Sequence, residues 1–371
     1  MFGLRDRRGA RAIGKREKEL EKVLLEVERK PTMLWRLFRE TALLDGGECR
    51  DIVEEHILPR LNRTDVKFLY EVNTETRKLI KRSSREGELK KGFKVSEMSS
   101  ISTLEFAWEH YPWGMFRKDD ETYFCLQVAY TNKLELLEWI REEKKCTWNS
   151  RTINAAAEQG NLEMVKYCVA NECPIDEFAC ANAAENGHLA CLKYLHEEAK
   201  APWDLGTAIW AASNGHLHIL EYLVERKYDE YNEGACERAA ANGHLECLKY
   251  LREEAKAPWG WGTASWAAQN GHLHILEYLV ERKFDKYNEG ACKLAARNGH
   301  FDCLKYLHET AKAPWNSAAV QEAHSYNHPE CLQYLLDKNC PLPFGWRYEH
   351  GELITGYSSS SSSSSSSLSS S

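Results

Sequence analysis

Fourteen histidines and thirteen cysteines are the residues of this 371-residue chain that could hold a metal or attack a substrate. The densest cluster is Gly-His-Leu-His, at His216/His218 and again at His272/His274. Imidazole nitrogen and thiolate sulfur are the usual zinc donors, but zinc needs all of its donors within about 2.3 Å of one ion. His188, His216, His244, His272 and His300 recur instead at one position of a repeating segment, and packed helices lie about 8–10 Å apart, so these rings cannot share an ion. The cysteines behave alike: Cys180, Cys236 and Cys292 form one column, and Cys191, Cys247, Cys303 and Cys331 another. Cys146, Cys173 and Cys340 fall in loops and are expected to be freer. There is no Cys-x-x-Cys pair, phosphate-binding glycine loop, Gly-x-Ser-x-Gly elbow or His-Glu-x-x-His, so the signatures of zinc ribbons, dithiol redox sites, hydrolases and metalloproteases are missing. Glu197-Glu198 and Glu253-Glu254 sit at helix ends and read as solvated surface rather than as an acid and base. The sequence thus predicts no catalytic residue, no cofactor and no metal, and a chain that is not an enzyme.

What positions these residues is a repeat. Asn-Gly-His occurs at Asn186, Asn214, Asn242, Asn270 and Asn298, which spaces Gly187, Gly215, Gly243, Gly271 and Gly299 by 28. Projection outward finds Gly160, then Asn132, and downstream Asn327, giving eight units. Two, five and eight positions after each glycine stand apolar residues, for example Leu217, Leu220 and Leu223, with an aromatic such as Tyr222 just before the last. That spacing lines one face of an amphipathic helix. Before each glycine an alanine pair recurs, such as Ala211-Ala212 or Ala239-Ala240, small enough for a first helix to pack closely on its neighbours. Each unit reads as helix, glycine turn, helix and loop, and the chain as an all-α solenoid of helical hairpins.

A longer period of 56 is also present: residues 184–239 and 240–295 differ at only 11 of 56 positions, so one two-unit block has been copied. Wherever the copies differ, the fold accepts both residues.

The stretch from Gly206 to Leu217, Gly-Thr-Ala-Ile-Trp-Ala-Ala-Ser-Asn-Gly-His-Leu, followed by Ile219, Leu220, Leu223 and Val224, resembles the ankyrin repeat. The threonine-proline start is missing, and 28 residues stand where that family usually has about 33. The resemblance covers roughly 99–346. It implies a protein-binding solenoid whose fingers are shortened, here to Lys200-Ala201-Pro202-Trp203 and Lys227-Tyr228-Asp229-Glu230.

Outside the array, residues 1–45 read as a charged helical extension broken at Gly46-Gly47, and 46–98 as short helices. Within these, Leu58, Leu61, Val66 and Leu69 resemble the adaptor-binding pattern of an F-box, which implies a Skp-type ubiquitin-ligase adaptor as partner. The alternative is that the helices cap the solenoid, whose first unit needs a polar outer cover. Residues 347–371 are expected to form a flexible serine-rich tail, since the low-complexity run from Ser358 onward cannot bury apolar area.

Net charge is −7 overall: residues 1–120 hold 26 basic and 22 acidic groups, and 121–371 hold 23 and 34. The resulting −11 argues against nucleic acid as the partner of the larger part. No apolar run is long enough to span a bilayer and the first residues are too charged for a signal peptide, so a cytoplasmic or nuclear monomer with no membrane association is expected.

The position just before each alanine pair varies while its flanks stay alanine: Gln127, Ala155, Asn182, Trp210, Arg238, Trp266, Leu294 and Glu322. Changes between the copies cluster beside it, taking Ile209 to Ser265 and Ser213 to Gln269. The resemblance places this column on the inner, concave face of the first helices. The partner-binding candidates are therefore Gln127, Asn182, Ile209, Trp210, Ser213, Arg238, Ser265, Trp266, Gln269, Leu294 and Glu322. For Trp210 and Trp266 the alternative is packing beneath the loops at Tyr228 and Phe284.

Overall fold

The computed structural model describes residues 66, 77, 80, 81, 94–109, 111, 114 and 117–355. They divide between two units, Met1–Pro174 and Ile175–Ser371.

In the first unit a 3-10 turn at Val95–Glu97 precedes α1 (Ile101–Glu109), α2 (Arg117–Ala129), α3 (Leu134–Glu142), α4 (Ser150–Glu158) and α5 (Leu162–Ala170). Helices α2 and α3 form one hairpin and α4 and α5 the next, with α2 beside α4 and α1 beside α3. α1 thus takes the place of a second helix. Phe124 fills the junction, buried completely and edge-on to Trp108 and Tyr111.

The second unit holds six hairpins: α6 (Glu177–Glu185) with α7 (Leu189–Glu197), α8 (Leu205–Ser213) with α9 (Leu217–Glu225), and α10 (Glu233–Ala241) with α11 (Leu245–Glu253). They continue as α12 (Trp261–Gln269) with α13 (Leu273–Glu281), α14 (Glu289–Arg297) with α15 (Phe301–Glu309), and α16 (Ser317–Ser325) with α17 (Pro329–Asp337). The first helices pack side by side in chain order. They come close because the residues between them are alanines: Ala183, Ala211, Ala239, Ala267, Ala295 and Ala323 have no exposed surface. Leu220 and Leu248 of the second helices are equally buried. The fold is all-α and solenoidal, as the periodicity predicts, with one addition. Residues 347–354, expected to open the tail, form an antiparallel hairpin of β1 (Arg347–Glu349) and β2 (Glu352–Ile354). Gly351 and His350 supply the positive φ that its tight turn needs.

The glycine turn is a helix stop. At Gly215 (φ 76°) the N–H of His216 donates to Ala211 O at 2.9 Å and that of Gly215 to Ala212 O at 3.4 Å, the paired bonds of a Schellman closure. Asn132 and Asn327, projected from the period as stand-ins for glycine, both adopt φ 58°; asparagine is the side chain that best tolerates this region.

Five of the six first helices of the second unit start on a side-chain cap. Asp176, Asp204, Asn232, Asn288 and Asn316 accept the N–H two residues on at 2.9–3.1 Å. Gly260 holds the same position in the copied block and has no side chain to cap with.

The 56-residue period has a structural cause in the outer connections, which alternate in form. After α9 the chain closes as at the glycine turns, with Lys227 at φ 59° and the N–H of Tyr228 on Leu223 O. After α7 the closure is one residue wider, from Ala201 N–H to Leu195 O past Lys200 at φ 54°. In both forms the residue after the left-handed one turns inward: Cys173, Ala201, Tyr228, Ala257, Phe284, Ala313 and Cys340 are all at most 5% exposed. This corrects the expectation for the loop cysteines. Cys146, Cys173 and Cys340 are buried, and each thiol donates to a backbone oxygen, those of Glu121, Asn149 and Asn316.

Candidate functional site

Along the first helices of the second unit, the varied column runs outward from a floor of buried alanine. Trp210 and Trp266 are each 40% exposed, Arg238 is exposed, and Asn182, Leu294 and Glu322 are half-buried. The alternation is a helical consequence: one residue further turns about 100° into the neighbouring helix, where only alanine fits.

The alternative for the tryptophans is not what forms. Tyr228 lies edge-on to Trp203 at 5.4 Å and to Tyr231 at 4.8 Å, while Phe284 meets Trp259 and Tyr287. Trp210 and Trp266 have no ring contact or hydrogen bond of their indoles among the described residues.

Of the flanking candidates, Ile209, Ser213 and Gln269 are half-buried, and Ser213 is engaged, its carbonyl and hydroxyl both accepting from Asn242 Nδ2 at 2.8 and 3.0 Å. Ser265 does not belong to the surface. It is 1% exposed, and its hydroxyl donates to Asn288 Oδ1 at 3.3 Å. Its position precedes the exposed column and faces the next first helix, so a small side chain there is enclosed. In the first unit Gln127 is half-buried, and Ala155, at the matching position, is 1% exposed.

The charges on this face are mostly neutralised within it. Glu322 lies 3.6 Å from Lys293 and 3.9 Å from Arg297. Arg297 also donates to the Tyr326 hydroxyl at 2.7 Å, with its guanidinium 4.7 Å from that ring. Glu237 accepts the backbone N–H of Gly262, while burial and the neighbouring Glu233 push its carboxyl above the usual range. The Arg238 side chain makes no hydrogen bond or ion pair among the described residues.

Sequence reasoning missed a second set of exposed apolar residues, Phe178, Leu205 and Trp261, at the starts of first helices and 47–57% exposed. They sit within two residues of the capping position, and recognising the caps would have located them. Of the F-box-like residues, Leu58, Leu61 and Leu69 lie outside the described residues, whereas Val66 is fully buried and in that state presents nothing to an adaptor.

The thiols are quiescent. Burial pushes Cys191, Cys247, Cys303 and Cys331 up to about 11 and Cys180, Cys236, Cys292 and Cys340 up to about 12, so the nucleophilic thiolate is scarce near neutral pH. Among the described residues no three His, Cys, Asp or Glu side chains converge as metal ligands, and no helix is long and apolar enough to cross a membrane.

Stacked helical hairpins with short connections and a varied first-helix face define a repeat solenoid. The family model of ankyrin repeats matches in three copies, over residues 180–259, 237–313 and 264–344. Residues 180–344 thus carry ankyrin repeats, and these are shorter than the usual ones by their fingers. A solved structure, the human ASB11 ankyrin repeat domain, matches at 18% identity over 48% of this chain and 95% of that one, with a TM-score of 0.39. No curated protein matches the chain.

Proposed function

We propose that the chain is a non-catalytic scaffold that binds a partner protein along the first-helix face of its second unit. Ankyrin repeats imply protein–protein interaction, and the observation that carries this reading is the state of Trp210 and Trp266. Both survive the duplication, both stand out from buried alanine, and neither indole has a partner among the described residues. Exposed aromatics of this size favour association, and tryptophan is enriched among residues that dominate binding energy.

The test is the double variant Trp210→Ala/Trp266→Ala in the full chain. Proteins recovered by the wild type in an interaction screen are titrated against both. The expected result is an unchanged melting temperature and binding weaker by about 2 kcal/mol or more. A large fall in stability with binding per folded molecule intact would assign the tryptophans to packing.

A further inference from the structure

Trp210, Arg238 and Trp266 occupy the same position on three successive first helices, α8, α10 and α12. Around the arginine the face is neutral, with Ser213, Ala241 and Gln269 one turn further along. The nearest carboxylate in sequence, Glu237, is committed to the Gly262 N–H. Elsewhere cations find anions: Lys293 and Arg297 meet Glu322 on this face, and Arg226 and Arg282 meet Glu197 and Glu253 at 2.6 Å. Arg238 feels the charge of Glu237 but forms no ion pair among the described residues, and it shares its column with two indoles. The fold does not require it, because the copied block carries Leu294 at that position in a helix of the same length.

We propose, on the strength of the binding reading above, that this Trp-Arg-Trp ladder receives an extended, polyproline-type segment of the partner with the pattern apolar-x-x-acidic-x-x-apolar. The spacing carries the argument. Neighbouring packed helices stand about 8–10 Å apart, and a polyproline helix advances about 9.3 Å in its three-residue turn. Every third side chain then falls on the same side and opposite the next rung. A β-strand would turn the middle residue away, because its side chains alternate. The two apolar residues lie on the indoles, as polyproline segments do in aromatic-lined grooves. The carboxylate between them takes the planar fork of Arg238, which matches it with two parallel hydrogen bonds. A single-stranded nucleic acid also offers flat groups and anions, but at one charge per nucleotide it meets the −11 of residues 121–371. One carboxylate per seven residues does not.

The probe is a fluorescein-labelled peptide with the core Leu-Pro-Pro-Glu-Pro-Pro-Leu, alongside its Gln counterpart, titrated by anisotropy into the full chain. The Glu peptide is expected to bind about tenfold tighter than the Gln peptide, the worth of a charge-assisted hydrogen bond pair. In Arg238→Leu, which installs the copy's own residue, that preference vanishes while the melting curve stays in place. Trp210→Ala/Trp266→Ala loses both peptides. Equal binding of the two peptides, binding of neither, a preference that survives Arg238→Leu, or displacement by an oligothymidylate overturns the proposal. Equal binding that is still lost in the tryptophan variant sinks only the acidic preference and leaves the binding face standing. A tryptophan variant that keeps its natural partner at full strength sinks the face itself.

Discussion

A Cβ on Gly215 would sit 2.7 Å from Nδ1 and 2.8 Å from Cε1 of His244, the imidazole that the next repeat lays over this glycine. The same contact joins Gly187 to His216, Gly243 to His272, Gly271 to His300 and Gly299 to His328. Each glycine is thus required twice, by its left-handed φ and by the ring above it. The histidines that first suggest a metal are lids on turns.

Gly215→Ala should therefore destabilise the array by about 2–4 kcal/mol, of which about 1–2 kcal/mol is the left-handed conformation alone. Adding His244→Ala should return the steric part and leave the conformational part. Urea melts of the two variants give both; a double variant no more stable than the single one would show that the ring is not the obstacle.

At the start of α12 the capping duty has passed between repeats. Asp204 caps its own helix, whereas Gly260 cannot, and the N–H of Gly262 is met by Glu237 from the preceding repeat. Glu237→Ala should cost about 1 kcal/mol, the usual worth of a cap. In a Gly260→Asn background, where the local cap is restored, the same substitution should cost almost nothing. A double-mutant cycle without coupling would refute the shared role.

Lys227 holds φ 59° with an exposed side chain that makes no hydrogen bond or ion pair among the described residues. Glycine adopts this conformation without a Cβ penalty, so Lys227→Gly should raise stability by about 0.5–1 kcal/mol. Thermal melting decides it, and a loss would mean that the lysine stem contributes packing.

Acid should loosen the array before its carboxylates titrate. His196, His216, His272 and His308 all sit below the usual imidazole value, in each case through burial first. The unfolded chain then takes up protons before the folded one. Stability is complete above about pH 6.5 and declines as pH falls below it. Glu197 is held low by the hydrogen bond from Tyr222 and by Arg226, and its share is lost only below the ordinary carboxylate value. Melting curves at pH 7.5, 6.5 and 5.5 should show a falling midpoint. His196→Arg/His308→Arg should flatten part of the slope, because Arg252 already stacks over Trp259 at the matching place. A midpoint unchanged across that range would exclude the imidazoles.

The periodic residues made most of this architecture legible. Gly, Ala and Leu columns repeat because each meets the same neighbour in every hairpin, and Asn132 and Asn327 could be placed by counting alone. The buried loop column could not, since Cys173, Ala201, Tyr228 and Phe284 share a location but no chemistry; a backbone closure selects that position, and any compact apolar group fills it. The proposed face was legible where a side chain is large. Trp210 and Trp266 are exposed as expected, whereas Ser265 looked like a surface change and is enclosed, because a step of one residue on a helix rotates from solvent into the adjoining helix. The alternation of the outer closures underlies the 56-residue period, a fact that residue columns spaced by 28 conceal.

The ring-over-glycine contact also has a polarity. Each imidazole leans back on the unit before it, so the leading and trailing faces of a hairpin are different surfaces, and such a contact could add copies head to tail without closing. The strand pair at 347–354 interrupts this at the trailing end. Trp346 stands 5.0 Å from the His324 ring and the Tyr348 hydroxyl takes a hydrogen bond from Gln333 at 3.1 Å, so the edge where another chain's first repeat would seat is partly occupied. Duplication inside the array left every such contact in register, whereas its trailing edge is covered in part by eight residues that follow no repeat at all.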